Sequence, residues 1–253
     1  MEIESQVNVQ HDLDREKRRN KIMRRSFLFF NCALLGVGIT TAPLFVRLYF
    51  LRGGARIWFS SWLQSAGFPI LFLAILLSYF YRCKNSTEGS KAKPYFLTWR
   101  LFIASAVIGV LMGADNYLYA SGAAKLPVST SSLLLSTQLG FTAGFAFLIV
   151  KQKFTSYSIN SIFLLLVASL ILGLHANGDR PNHESNKTYY IGFVMMLAAA
   201  ALYGFLLPMI ELTYMKTKQN VTYYLVMEMQ LVISIFATIF CSVGMLVNKD
   251  FQV

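Results

Sequence analysis

One carboxylate, Glu228, stands inside the apolar stretch YYLVMEMQLVISIF (Tyr223–Phe236), with Gln230 two residues on and an apolar run continuing to Val247. A charged acid at mid-membrane is unfavourable by roughly 2.5–3.5 kcal/mol on insertion scales, so Glu228 should face the bundle interior, paired or protonated part of the time. Such a group accepts N–H donors from a ligand and can carry a proton. The stretch WLQSAGF (Trp62–Phe68) adds an amide, Gln64, that can donate to a ring nitrogen, and an indole, Trp62, that can stack on a flat ring. Trp62, Gln64, Glu228 and Gln230 are therefore the candidate substrate-binding set, with Glu228 also the candidate for proton coupling. An intramembrane enzyme needs a nucleophile–base pair, a metal cluster or paired carboxylates. The only other acid of note is Asp115, which the apolar pattern puts near a membrane face, so no catalytic residue is assigned. Cys32, Cys83 and Cys241 lack paired spacing, and His11, His175 and His183 lack ligand spacing, so neither metal nor cofactor is expected.

The elements that must position these residues are membrane helices. Of 253 residues, 55% are hydrophobic and 14% charged, and the mean hydropathy is +0.50, well away from the roughly one-quarter charged content of soluble domains. About 20 apolar residues cross the hydrocarbon core as a helix. Seven runs qualify: Ser26–Phe50, Ile57–Tyr81, Trp99–Tyr119, Val128–Val150, Tyr157–His175, Tyr190–Leu212 and Tyr223–Val247. The first is too long for a cleavable signal peptide and reads as a signal anchor. Residues 1–25 before it are polar and lack apolar periodicity, which predicts a disordered cytosolic tail.

The net charge of +11 is a topology signal rather than a nucleic-acid footprint. With the N-terminus inside, the tail holds Arg15, Lys17, Arg18, Arg19, Lys21, Arg24 and Arg25. The next inner segments hold Arg82, Lys84, Lys91, Lys93 and Arg100, then Lys151, Lys153, Lys216 and Lys218. These are 16 of the 23 basic residues, the asymmetry of the positive-inside rule. A seven-helix receptor with an outside N-terminus is disfavoured on the same ground. Of the sequons at Asn85, Asn186 and Asn220, only Asn186 faces outward, which makes it the glycosylation candidate.

Two stretches repeat. TTAPLFVRLY (Thr40–Tyr49) over FLLPMIELTY (Phe205–Tyr214) aligns Pro43 with Pro208 and Tyr49 with Tyr214, and one further residue of offset brings Gln64 onto Gln230. A first unit of five spans makes the second copy enter from the opposite side, the inverted-repeat plan of secondary transporters. Pro43, Pro69 and Pro208 inside spans are helix-kink candidates, each freeing a carbonyl one turn back, near Ile39, Ser65 and Gly204. Hydrocarbon cannot satisfy those carbonyls, so each kink should face protein or a wet cavity. Gly109 with Gly113, and Gly140 with Gly144, offer flat stripes for close helix packing.

GGARIWFSSWLQSAGFP (Gly53–Pro69), DNYLYASGAAKLPVSTSSLLLSTQLGFTAGFAFLIVKQKFT (Asp115–Thr155) and AAALYGFLLPMIEL (Ala199–Leu212) resemble the plant purine permeases of the drug/metabolite transporter superfamily. The first and third stretches are the more specific. The resemblance implies an all-α fold of ten helices in two inverted five-helix repeats. It also implies proton-coupled transport of purine nucleobases and derivatives such as cytokinins, at the plasma membrane. With seven spans, the second repeat is incomplete. The division reads as residues 1–25 tail, 26–175 first repeat, 176–189 external loop and 190–253 first two helices of the second repeat, and a truncated product is expected not to concentrate purines alone. The partners implied are purines, protons and the lipid bilayer. The alternatives are a carrier or exporter of other metabolites or drugs, and a non-transporting fragment that associates with a full-length permease and modulates it.

Glycan mapping checks the topology: Asn186 should be modified, and Asn85 and Asn220 should remain bare. The reverse pattern overturns the orientation.

Overall fold

The computed structural model describes residues 2–85, 97–175, 186–217 and 222–250. In chain order its elements are α1 (Glu2–Leu51), α2 (Ile57–Ser65), α3 (Phe68–Asn85), α4 (Trp99–Lys125), α5 (Val128–Ser136), α6 (Gln138–Phe145), a π-helical turn (Ala146–Val150), α7 (Ser156–His175), α8 (Asn186–Lys216) and α9 (Tyr223–Val247). No strand occurs among the described residues. Six stretches are long and apolar enough to cross a membrane: Arg18–Leu51, Ile57–Phe80, Trp99–Lys125, Val128–Val150, Lys187–Lys216 and Tyr223–Val247. α7 adds a shorter apolar segment, Ser156–Ala168. The protein is an all-helical, polytopic membrane protein.

The chain divides into two compact units, Met1–Leu48 and Tyr49–Val253. The polar segment at the start, predicted to lack regular structure, is instead the beginning of α1. Its sequence explains this: in HDLDREKRRNK, Asp14 and Arg18 are four apart and Glu16 and Arg19 three apart, spacings that support a helix. Glu, Lys and Arg are also good helix formers. Pro43 lies inside α1. α1 ends at Leu51 and is closed by Gly53 beyond it, whose φ of +91° favours glycine. The Gly54 N–H donates to the Tyr49 carbonyl at 3.0 Å and the Gly53 N–H to the Phe50 carbonyl at 3.3 Å, closing the helix in a Schellman arrangement.

Two predicted spans are broken. In the second, α2 ends at Ser65 and α3 begins at Phe68, with Pro69 in its first turn. The Ser65 carbonyl at this break accepts a hydrogen bond from Thr238 Oγ1 of α9 at 3.1 Å. The fourth breaks without a proline, at Thr137 between α5 and α6. The hydroxyls of Ser136 and Thr137 donate back to the Leu133 and Leu134 carbonyls, each at 2.6 Å. Such side-chain bonds compete with the regular ladder and bend helices.

α4 packs against α2, α8 and α9. Ile108 clusters with Leu206 of α8 and Ile233 of α9, and Leu101 with Leu225 and Met229. Gly122 meets Met196. These registers make α4 antiparallel to α8 and parallel to α9. The α4–α9 approach depends on missing side chains. A Cβ at Gly109 would stand 2.6 Å from the Ile233 carbonyl oxygen, and one at Gly113 would stand 2.8 Å from the Phe240 ring. At Gly204 of α8, a Cβ would lie 2.7 Å from Phe141 Cβ of α6. Gly140 touches Leu166 of α7, whereas Gly144 meets nothing within 4 Å.

Gly109→Leu should therefore lower stability by about 1–3 kcal/mol through overpacking, read as a lower melting temperature in detergent, with Gly144→Leu close to wild type. Equal melting of the two variants would refute the α4–α9 packing.

Candidate substrate and proton sites

A cavity of about 530 Å³ opens where the start of α9 meets the start of α4 and the body of α3. Glu228, Leu231 and Val232 line it from α9, Trp99 and Phe102 from α4, Leu97 from the preceding loop, and Phe72 and Ile75 from α3. Glu228 is the one charged residue of that lining, and it is half-buried. Trp99 and Phe102 stack with ring centroids 5.6 Å apart at 12°, and Phe236 meets Phe102 edge-on at 5.9 Å. A carboxylate beside flat aromatic faces, in a volume within the usual small-molecule range of about 300–1,000 Å³, suits a planar ligand carrying N–H donors.

The four candidate residues divide between two levels of the membrane. Glu228 follows Tyr223 by five residues, so it lies about 8 Å along the helix axis from the start of α9 rather than at mid-membrane. Gln230 is exposed, about 200° around the helix from Glu228. Trp62 is at the other level: its Nε1–H donates to Ser242 Oγ at 3.1 Å, and its ring lies parallel to Phe59 at 6.4 Å. Ser242 is about 21 Å along α9 from Glu228. Gln64 is exposed, and its Nε2 donates to its own helix at the Ser60 carbonyl, 3.4 Å away. Glu228 is thus brought to the cavity with Trp99 and Phe102, while Trp62 and Gln64 are not. Pro208 is fully buried within α8. The Asn186 side chain lies outside the described residues, as do the Asn220 position and the side chain of Asn85.

The level shared with Trp62 holds the acid that the sequence pattern put near a membrane face. α4 continues past Tyr119 to Lys125, so Asp115 is ten residues, about 15 Å, from its nearer end. It is only 6% exposed, and its Oδ1 has no hydrogen-bond partner among the described residues. The Tyr203 hydroxyl of α8 lies within Coulombic reach of it. Next to it on α4, the Asn116 carbonyl accepts from Ser61 Oγ at 3.3 Å, and Tyr117 stacks on Trp58 at 4.1 Å. The available signal was the segment SGAAK (Ser121–Lys125), whose small residues extend the helix without looking strongly apolar.

The family profile described as purine nucleobase transmembrane transport matches residues 26–253. Purine permease 3 of Arabidopsis thaliana is 44% identical over 230 residues, which are 91% of this chain and 66% of that protein. Purine permease 2 of the same plant is 49% identical over 231 residues, 91% of this chain and 64% of the relative. The chain belongs to the plant purine permease family. It spans about two thirds of the length of these relatives. In this permease chain the polar groups of α9 serve two purposes: Glu228 faces the cavity, whereas Thr238 and Ser242 hold α2.

Thr238→Val keeps the side-chain shape and removes the donor to the Ser65 carbonyl. An unsatisfied buried carbonyl costs about 1–3 kcal/mol, so the variant should melt measurably lower than wild type. A Thr238→Ser variant, which retains the hydroxyl, should recover most of the loss. If Val and Ser behave alike, the hydroxyl is not what supports the break.

Proposed function

We propose that this chain forms the purine-binding part of a proton-coupled carrier of purine nucleobases and derivatives such as cytokinins. The cavity at Glu228 carries this reading, and family membership supports it. The carboxylate accepts ring N–H donors of the purine, while Trp99 and Phe102 offer the faces against which the ring stacks. A base stacked on an aromatic ring is worth about 1–3 kcal/mol. Glu228 exchanges the coupling proton with the aqueous side on which α9 begins. The excess of basic residues supports a reading in which that side and the N-terminus are cytosolic, and the membrane of this proposal is the plasma membrane. Gln230, on the face of α9 turned away from Glu228, and Gln64 and Trp62, at the other level, meet the substrate as it moves between levels. The relatives are named as permeases, in keeping with a chain that performs transport rather than catalysis.

The inverted-repeat plan is part of the same proposal. Gln64 of α2 and Gln230 of α9 occupy related positions in the repeat, and α2 and α9 touch: Trp62 bonds Ser242 and Ser65 bonds Thr238. As one number rises the other falls, so the helices run antiparallel, the arrangement a two-fold axis in the membrane plane produces.

Binding of radiolabelled adenine to the purified chain in nanodiscs tests the site. Trp99→Ala should weaken binding about tenfold, equivalent to 1.4 kcal/mol. Glu228→Gln, which exchanges a charge-assisted acceptor for a neutral one, should weaken it comparably. Unchanged adenine affinity in both variants across about pH 5 to 8 would remove the cavity from the transport path.

A further inference from the structure

Asp115 combines three features that Glu228 does not. It lies near the middle of its helix, it is more than nine-tenths buried, and one carboxylate oxygen has no hydrogen-bond partner among the described residues. On α4 it lies between Ile108, which packs on Leu206, and Gly122, which packs on Met196. It therefore occupies the α4–α8 seam, with Tyr203 of α8 an electrostatic neighbour.

Among the described residues, the elements packed against α4 offer no nearby charge to balance a carboxylate there. From α2 there is no titratable side chain. α8 presents Tyr203 and, further along and exposed, Glu211. α9 presents Cys241, whose thiol donates to the Gly113 carbonyl at 3.8 Å, and Glu228, about 17–21 Å away by the Gly113–Ala237 and Leu101–Met229 registers. On α4 itself, Tyr117 is stacked on Trp58 and Tyr119 lies one turn on. Lys125 is ten residues away, with its Nζ donating to Ser121 Oγ at 3.5 Å. A lone buried charge is strongly disfavoured without a partner, and a neutral carboxyl needs only ordinary hydrogen bonding.

We propose that Asp115 is a second, intramembrane proton-binding site, with Tyr203 as its hydrogen-bonding neighbour across the α4–α8 seam. In the step it performs, the carboxylate takes one proton from a hydronium ion, releasing water, and becomes the neutral acid. The O–H bond breaks again when the seam opens, returning the proton to water and the negative charge to Asp115. The site rests on the proton-coupled reading above but is chemically separate from the Glu228 cavity, so each can fail alone.

Infrared spectroscopy of the chain in nanodiscs, with ¹³C-labelled aspartate, tests it directly. Wild type should show a carboxylic-acid carbonyl band that moves with the label, is full at low pH and is lost as pH rises. The band should survive Glu228→Gln and disappear in Asp115→Asn. Tyr203→Phe, which keeps the packing of the ring, should retain the band and shift the pH midpoint of its loss. An aspartate band unaffected by Asp115→Asn would overturn the proposal. So would the absence of a labelled band in folded wild type at every pH, or its loss on adding sodium at constant pH, which would make this a cation site. Should Asp115→Asn fail to fold, the labelled wild type and Tyr203→Phe still decide: the proposal stands only if the band is present and its midpoint moves. Adenine binding on the same samples separates the two readings. A normal aspartate band with no adenine binding in wild type removes the purine cavity and leaves the proton site standing. Normal adenine binding without the band does the reverse.

Discussion

Inside hydrocarbon a backbone polar group has no water to turn to, so every interruption of a helix must be answered by a neighbour. The break between α2 and α3 is answered by α9, through Thr238 to the Ser65 carbonyl. α9 can stand there because it also lies close against α4, where Gly109 and Gly113 leave room for the Ile233 and Ala237 carbonyls. Packing and polar satisfaction are therefore linked. A bulkier residue on α4 would move α9 outward and withdraw the hydroxyl that the broken second span requires.

The order of the spans was legible because hydropathy and length are properties of whole segments, and lipid imposes one solution on them. The close approach at Gly109 and Gly113 was legible for the same reason, since small residues four apart lie on one face of a helix. The break at Thr137 was not: nothing in STQLG (Ser136–Gly140) forbids a helix, and the bend comes from hydroxyls choosing their own carbonyls, a local competition that composition does not reveal. The helical start of α1 was hidden by its polarity, because disorder was inferred from the lack of an apolar face while the charge spacing that supports a helix was present.

The depths of the two acids were not legible in the sequence. Glu228 was assigned to mid-membrane from its apolar neighbours, yet it comes five residues after the helix begins. Asp115 was assigned to a face because the strongly apolar run stops near Tyr119, yet the helix persists through Ala120–Lys125. The two acids exchange levels. Their aromatic companions change with them: Trp99 and Phe102 stand by Glu228, while Trp62 stands near the level of Asp115.

That vertical separation matters more for transport than the identity of either acid. A single carboxylate near one membrane face can bind a ligand and a proton from that side only, whereas alternating access needs groups that meet both sides in turn. In the registers set by Leu101 with Met229 and by Gly113 with Ala237, α4 and α9 run side by side, so Glu228 and Asp115 are about 17–21 Å apart along one axis. No proton moves that distance between two carboxyls in one step. In the proposed carrier, coupling between them would pass through water or hydroxyls, or through movement of the seam that holds Asp115. The α4–α8 seam is closed by Ile108, Leu202 and Leu206, an apolar contact beside which the proposed Asp115–Tyr203 hydrogen bond is the polar contact that parting would break. Charge on Asp115 would favour the parted state and protonation the closed one, giving the buried acid a mechanical role that the exposed cavity at Glu228 could not supply.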